Sequence, residues 1–265
     1  MRLLPTIALA LLAGPAWACG IDSDCVLDVP ASGGERLYRI DKREGQTGAY
    51  LFAHGYRGSA AGVMRNRSLR DAVAKEGFAL VAPEALETWS LPNGPRPPRF
   101  DEAPYFEAIV EDLVEKHGIA RDRIVMSGFS AGGMVTWNMA CDRPDLFAGF
   151  VPISGTYWKG PPRTCPGGVP NIVHIHGTSD LTVPLTGRRI GPTEQGDVVE
   201  ALDHMRAKGG HTLVDRVMVG RLRCEAQANE SGALLEFCLH DGGHSMPSEF
   251  AAAGIAELKR RTPLR

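Results

Sequence analysis

The sequence predicts an α/β fold with a largely parallel central sheet. Short apolar runs that end in Gly, Ser or Asp recur along the chain, and segments with helical periodicity separate them. The runs are apolar at consecutive positions, which is typical of strands buried on both faces. Strands that alternate with helices favour a parallel sheet, whose functional groups lie beyond the carboxyl ends of the strands.

The apolar runs and the periodic segments define the expected elements. We predict strands over residues 49–53, 78–82, 124–126, 147–153, 172–175 and 234–239. We predict helices over residues 61–76, 105–117, 132–140, 197–208 and 252–259. Two long segments, residues 84–104 with five prolines and 156–170 with four, are expected to be loops that shape a cleft.

The N-terminus has the pattern of a Sec signal peptide. A charged Arg2 precedes an apolar run, and Ala16-Trp17-Ala18 follows as a small-x-small cleavage site. The sequence therefore predicts a signal peptide over residues 1–18, a single catalytic domain over 19–265, and a secreted or periplasmic protein. A lipoprotein that begins at Cys19 is the alternative, although Trp17 fits a lipobox poorly.

The chain has six cysteines, an even number that suggests disulfides in an exported protein. Six cysteines allow fifteen pairings, and the sequence alone cannot select one of them. Local spacing favours Cys224–Cys238, Cys141–Cys165 and Cys19–Cys25. No Cys-x-x-Cys pair is present, and the His174-Ile175-His176 pattern has no further ligand cluster, so we expect no metal site.

The charge and hydropathy of the chain indicate which classes of partner to expect. The formal net charge is −2, and the basic residues form only short local groups such as Arg188-Arg189. We therefore expect no nucleic-acid partner. The N-terminal apolar run is too short for a bilayer span, and no other run is long enough. The sequence leaves the oligomeric state open.

A nucleophile motif follows the predicted strand 124–126. Residues 128–132, Gly-Phe-Ser-Ala-Gly, match the G-x-S-x-G pattern, which has structural meaning between a strand and a helix. A tight turn there presents the Ser130 hydroxyl and directs the Ala131 N–H toward a developing oxyanion. A glycine-rich structural turn is the alternative interpretation.

Two further strand exits carry the partners that a nucleophilic serine needs. His244 follows the last predicted strand on a glycine-rich loop and is the best candidate for a general base. Asp180 follows strand 172–175 and is the candidate that orients the imidazole. Their order along the chain, Ser, Asp, His, is the one found on this type of fold.

The loop after the first predicted strand, residues 54–58, is the candidate for a second oxyanion donor, with the Tyr56 N–H assigned to that role. Trp89, Tyr157 and Trp158 lie on the two long loops and could form an apolar or sugar-stacking wall. Ordinary loop packing is the alternative for each of these three aromatic residues.

Four segments of the chain resemble the bacterial polyhydroxybutyrate depolymerase and feruloyl esterase family, which is close to the carbohydrate esterases that remove feruloyl or acetyl groups from xylan. They are residues 54–60, 122–134 with 141–148, 174–180 and, in part, 242–247. The resemblance implies an α/β-hydrolase fold with helices on both faces of the sheet, no cofactor, and Ser130, Asp180 and His244 as the catalytic triad.

The resemblance also implies hydrolysis of carboxylic esters through an acyl-enzyme. Met246 stands where family members often have Trp, and we expect no separate polymer-binding domain. Both departures favour feruloyl, acetyl or short-chain esters over solid polymer, with a polyhydroxyalkanoate depolymerase as the alternative. A secreted serine peptidase and a non-catalytic binding protein are further hypotheses. The sequence does not specify the ester.

Overall fold

A computed structural model of the chain describes residues 19–264 and contains a ten-stranded sheet with the order β1-β2-β4-β3-β5-β6-β7-β12-β11-β10. The strands β1 to β7 are Cys25–Val29, Gly34–Asp41, Gly48–Ala53, Phe78–Pro83, Ile124–Phe129, Gly149–Ile153 and Ile172–Gly177. Strands β10 to β12 are Thr212–Val219, Leu222–Ala228 and Leu234–His240, and a separate hairpin is formed by β8, Arg188–Ile190, and β9, Thr193–Gln195. The predicted signal peptide lies outside the described residues.

The six predicted strands are all present, and they are the central part of the sheet. Strands β4, β3, β5, β6, β7 and β12 are parallel to one another. Strands β3, β4 and β7 are buried at every position, which explains their continuous apolar sequence. The strand predicted over residues 147–153 begins two residues later than expected, at Gly149.

The outer strands of the sheet are antiparallel. Strand β2 pairs with β4 and β1 with β2 at one end, and β11 pairs with β12 and β10 with β11 at the other. Buried and exposed residues alternate along β2 and over much of β11, because one face of these strands is solvated. The sequence analysis missed them because it looked for uniformly apolar runs.

Within residues 19–264, six α-helices cover the two faces of the sheet. They are α1 to α6, Ala60–Arg65, Arg67–Lys75, Ala103–His117, Ala131–Asp142, Val198–Gly209 and Ser248–Arg261. The helix predicted over 61–76 is two helices, because Asn66 leaves helical geometry and its side chain accepts the Leu69 N–H to begin α2. Apolar residues of α3, α4 and α5 pack in one core, and those of α1, α2 and α6 pack in the other.

Three disulfides have the favoured pairing, Cys19–Cys25, Cys141–Cys165 and Cys224–Cys238. The Cys224–Cys238 bridge joins residues directly opposite one another on β11 and β12. The Cys141–Cys165 bridge attaches the second long loop to the end of α4. None of the helices within residues 19–264 combines the length and apolarity that a bilayer span requires.

A buried group of charges lies between β12 and α6. The Glu236 side chain is fully buried on β12, and Glu257 of α6 is nearly so. Arg261 Nε lies 3.2 Å from Glu257 Oε2 and 3.8 Å from Glu236 Oε1. Burial, and then the neighbouring Glu257 carboxylate, raise the pKa of Glu236 to about 7.

We expect Glu236→Gln to stabilise the protein at pH 8 and to have little effect at pH 5. The pKa of Glu236 is higher in the folded protein, so the folded state holds the proton more tightly and loses that advantage as pH rises through about 7. The melting temperature of the variant, relative to wild type, should therefore rise with pH. Glu225→Gln, at a half-exposed position on the adjacent strand, is the control. A difference from wild type that is equal at both pH values would contradict this assignment.

Candidate active site

Ser130 lies at the junction of β5 and α4, where the chain turns sharply. Its φ of 58° and ψ of −118° are unusual for a residue with a side chain. The Ser130 N–H donates to the Ile153 carbonyl at the end of β6, and the Ser130 carbonyl accepts the Met134 N–H in the first turn of α4. These contacts hold the left-handed residue in place, as in a nucleophile elbow.

The glycines of the motif are required by close backbone packing. A Cβ on Gly132 would lie 1.9 Å from the Ala53 carbonyl oxygen, and a Cβ on Gly128 would lie 2.3 Å from backbone atoms of Gly132. Both distances are too short for atoms that are not bonded to each other. The elbow therefore forms only because α4 can approach the end of β3 without side chains between them.

Asp180 and His244 are in direct contact, although 64 residues separate them. His244 Nδ1 lies 2.7 Å from Asp180 Oδ2, and the Asp180 side chain is buried. Parallel β7 and β12 are neighbours in the sheet, and the two residues lie just beyond their carboxyl ends. The predicted carboxylate and the predicted base are thus adjacent because their strands are adjacent.

The second carboxylate oxygen of Asp180 is held by the backbone. Asp180 Oδ1 accepts the N–H groups of Thr182 and Val183, both at 2.8 Å. Burial raises the pKa of Asp180, but the Val183 N–H and the His244 imidazole more than offset burial, so the pKa lies below its ordinary value. The carboxylate is ionised and has a fixed orientation toward the imidazole.

The imidazole of His244 packs beside the elbow. Its ring centroid lies 4.6 Å from that of Phe129, the residue that precedes Ser130. Among residues 19–264 the Ser130 hydroxyl makes no hydrogen bond to His244. Such bonds are often long in unliganded sites and shorten when a substrate binds. The predicted nucleophile is therefore close to the Asp180–His244 pair but not yet bonded to it.

The loop after β3 lies against the elbow. A Cβ on Gly55 would be 3.5 Å from the Ser130 Cβ, so the two backbones are in contact. Tyr56 follows in this loop, and Ala131 is the first residue of α4, whose N–H has no intrahelical partner. The two predicted oxyanion donors belong to backbone segments that meet at Ser130.

A cavity of about 430 Å³ opens in front of Ser130. Both predicted oxyanion residues, Tyr56 and Ala131, border it together with Ser130. Apolar side chains form most of the remaining wall, from both long loops, from α4 and from the β8–β9 hairpin. They are Trp89, Leu91, Pro95, Met134, Trp158 and Ile190. A volume of this size accommodates a small aromatic or short aliphatic group.

The three predicted substrate-binding aromatics have different positions. Trp89 and Trp158 border the cavity, and the Trp89 Nε1–H donates to the His54 carbonyl at 2.8 Å. Tyr157 does not border the cavity: its ring packs against Trp137, and its hydroxyl donates to the Trp137 carbonyl at 2.9 Å. Burial of the phenol against Trp137 is the physical reason that Tyr157 does not reach this cavity.

The sequence analysis missed one part of the cavity wall. Arg96, Arg188 and Gln195 border the cavity, and the last two belong to the β8–β9 hairpin. This hairpin has three-residue strands without an apolar run, so periodicity could not find it. The pattern Arg-Arg-Ile-Gly-Pro, residues 188–192, was a turn signal that could have indicated it.

His174 and His176 lie on one face of β7, as the His-x-His spacing requires, but they are bonded to one another. Burial lowers the pKa of both, so both are neutral. The His176 Nε2–H donates to the Val183 carbonyl at 2.8 Å, and the His174 Nε2–H donates to His176 Nδ1 at 3.0 Å. His176 thereby holds the turn whose N–H groups bind Asp180.

Two groups of side chains within residues 19–264 have the spacing of metal ligands. One is Cys19, Cys25 and His117, and the other is Cys224, Glu236 and Cys238. The cysteines of both groups are joined in disulfides, so they cannot act as thiolate ligands in this state.

The sequence and structure are similar to those of known esterases. The profile of the Phospholipase/Carboxylesterase family matches residues 99–218. The candidate esterase NocK from Nocardia uniformis subsp. tsuyamanensis is 29% identical over 177 residues, which are 63% of this chain and 52% of NocK. Feruloyl esterase C from Emericella nidulans is 29% identical over 120 residues, which are 44% of this chain and 41% of that protein. The chain thus spans about half the length of NocK.

Among solved structures, the acetyl xylan esterase from Aspergillus awamori superposes with a TM-score of 0.62 over 88% of this chain and 99% of that one, at 15% identity. At this identity the similarity concerns the fold. The chain therefore has an α/β-hydrolase fold, with a mostly parallel central sheet. The sequence matches are to esterases, and each covers part of this chain.

We expect Asp180→Asn to slow the labelling of Ser130 by an organophosphonate on the order of 10⁴-fold, the loss known for this change in serine proteases. The Asn oxygen would accept the Thr182 and Val183 N–H groups, so its NH₂ would face His244 Nδ1. His244 would then carry its proton on Nε2 and could not accept one from Ser130. Intact-mass spectrometry over time measures the rate.

Asp241→Asn is the matched control for this labelling experiment, because Asp241 lies three residues before His244 but is exposed and pairs with Arg223. We expect wild-type labelling for it. Equal labelling rates for wild type and Asp180→Asn would show that Asp180 does not orient the base.

Proposed function

We propose that this protein is a secreted serine esterase that hydrolyses carboxylic esters through an acyl-enzyme. One observation carries the proposal: a left-handed serine at a strand–helix turn borders a mostly apolar cavity, beside a bonded Asp–His pair. The assignment of Ser130, His244 and Asp180 as a triad is part of the proposal. Similarity to the Phospholipase/Carboxylesterase profile supports the same class of reaction.

In the proposed first step, Ser130 Oγ attacks the ester carbonyl and His244 Nε2 accepts the hydroxyl proton. The ionised Asp180 stabilises the imidazolium through Nδ1–H. The carbonyl oxygen becomes an oxyanion, which accepts the N–H groups of Tyr56 and Ala131. The bond to the leaving alcohol then breaks, and His244 gives its proton to that alcohol.

In the proposed second step, a water molecule takes the place of the alcohol. His244 removes a proton from the water as the water oxygen attacks the acyl carbonyl, and the same two N–H groups hold the second oxyanion. The bond to Ser130 Oγ breaks, Ser130 recovers its proton from His244, and the carboxylic acid leaves. The reaction requires no cofactor.

We propose feruloyl or acetyl esters of plant polysaccharide, or short-chain esters, as the substrates. Trp89 and Trp158 give the cavity two aromatic walls, which suit a planar acyl group or a sugar. The similarity to feruloyl esterase C is in agreement with this class. A cavity of about 430 Å³ fits a single small acyl group better than a long polymer segment.

We further propose that the protein functions outside the cytoplasm. Its three disulfides are in agreement with an oxidising compartment. The expected signal peptide over residues 1–18 would deliver it there and would make Cys19, which is paired with Cys25, the first mature residue.

We expect Ser130→Ala to abolish ester hydrolysis, with kcat lowered on the order of 10⁴-fold or more, because no nucleophile remains. The substrates are methyl ferulate, acetylated xylan, p-nitrophenyl butyrate and a polyhydroxybutyrate film, which also separate the esterase from the depolymerase alternative. An aminoacyl-anilide tests for peptidase activity.

Ser245→Ala is the matched control for this panel, because Ser245 adjoins His244 but is exposed, and its hydroxyl donates to the Gly243 carbonyl. Circular dichroism checks that both variants fold. Hydrolysis that survives in Ser130→Ala, or that is absent from wild type on every substrate, would refute the proposed function.

A further inference from the structure

The wall of the cavity in front of Ser130 carries a positive charge. Two arginines, Arg96 and Arg188, are among the residues that border it, and no aspartate or glutamate is. The rest of the wall is mostly apolar, so the guanidinium groups are the only charged groups of this wall within residues 19–264. Asp180 lies behind the wall, where its charge is compensated by His244 and two N–H groups.

Arg188 is held in a defined position at the cavity. It lies opposite Gln195 in the register of β8 and β9, and its Nε–H donates to Gln195 Oε1 at 3.1 Å. Gln195 is 7% exposed and forms a β-bridge with Trp158. The Nε–H is thus used to orient the side chain, and the terminal amino groups of Arg188 remain for a ligand.

The hairpin that carries Arg188 is joined to the loop that carries Arg96. Thr193 Oγ1 donates to the Asn93 carbonyl at 2.6 Å, three residues before Arg96. The hairpin is also bonded to the second long loop, where the Lys159 N–H donates to the Glu194 carbonyl at 2.9 Å. The two arginines therefore belong to one connected wall of the cavity.

Neighbouring arginines on the same segments differ in their partners. Arg99 pairs with Glu87 at 3.3 Å, and Arg189 lies opposite Glu194 in the hairpin register. Within residues 19–264, no carboxylate lies within ion-pair distance of Arg96 or Arg188. Among residues 19–264, Arg188 at the cavity therefore has no carboxylate partner, whereas Arg189, the next residue of β8, lies opposite Glu194.

We propose that the site selects esters that carry a carboxylate in addition to the ester group, and that Arg188, with Arg96, binds this carboxylate. The inference rests on the proposed esterase function and specifies its substrate class. A guanidinium binds a carboxylate through paired N–H donors. Charged arginines at the cavity also favour the approach of anionic substrates.

Matched ester pairs test the proposal. Monomethyl succinate and methyl 4-methylpentanoate have nearly the same shape, because two methyl groups replace the two carboxylate oxygens, and they place the charge in the acyl part. The pair 4-acetoxybenzoate and 4-isopropylphenyl acetate places it in the alcohol part. We compare kcat/KM of the anionic ester with that of its neutral partner, in the mature protein with its disulfides intact.

We expect Arg188→Gln to lower this ratio about tenfold in at least one pair, because a charge-assisted hydrogen bond to the substrate is lost. Arg96→Gln should lower it in the same pair. In wild type the ratio should also fall when KCl is raised to about 0.5 M, since salt screens the attraction. Arg189→Gln, on the adjacent residue of β8, is the matched control and should leave the ratio unchanged.

A ratio that is the same in wild type and Arg188→Gln for both pairs would overturn this inference and would leave the esterase function standing. If wild type hydrolysed no ester, the esterase function would fail, and binding would still decide the inference. In that experiment, calorimetry compares monomethyl succinate and methyl 4-methylpentanoate on Ser130→Ala, with and without Arg188→Gln. Tighter binding of the anion that depends on Arg188 supports the proposal, and equal binding contradicts it.

Discussion

The site depends on the close approach of α4 to the carboxyl end of β3. The space between Gly132 and the Ala53 carbonyl is too small for even one methyl group, so the backbones are in contact. This contact allows the chain to turn at Ser130 with a positive φ and aligns the start of α4 with the cavity. The same contact brings the loop at Gly55 against Ser130. The position of the proposed nucleophile and of both proposed oxyanion donors thus follows from one packing constraint.

The order of the sheet places the remaining groups around this turn. Strands β5, β6, β7 and β12 are consecutive neighbours, so residues beyond their carboxyl ends lie side by side. Asp180 meets His244 for this reason, and His176 supports the turn that holds the carboxylate. The β8–β9 hairpin then closes the cavity and adds charge to a wall that is otherwise mostly apolar. The parallel sheet thus positions the proposed catalytic residues, whereas the irregular segments give the cavity the wall on which the proposed specificity depends.

The central part of this arrangement could be predicted because its physical requirements are local. A strand buried on both faces must be apolar throughout, and an elbow without space for side chains must have glycine. The parts that were missed have no such local requirement. Strands β1, β2, β10 and β11 alternate or are mostly exposed, and α1 and α2 are separated by a single Asn66 that caps the second helix. Tyr157 was expected at the cavity. Its burial in the core depends on contacts with a distant segment, such as its hydrogen bond to the Trp137 carbonyl, which a local sequence pattern does not encode.

The sequence by itself determined the α/β architecture, the elbow at Ser130, and the strand exits that carry Asp180 and His244, because each is encoded in a short run of residues. Only the tertiary structure decided which aromatic side chains border the cavity and that Arg188 faces it while Arg189 lies beside Glu194. These features depend on contacts between segments that are distant in the chain, such as Thr193 with Asn93. The proposed catalytic residues can therefore be located in the sequence, whereas the shape and charge of the cavity arise from the fold.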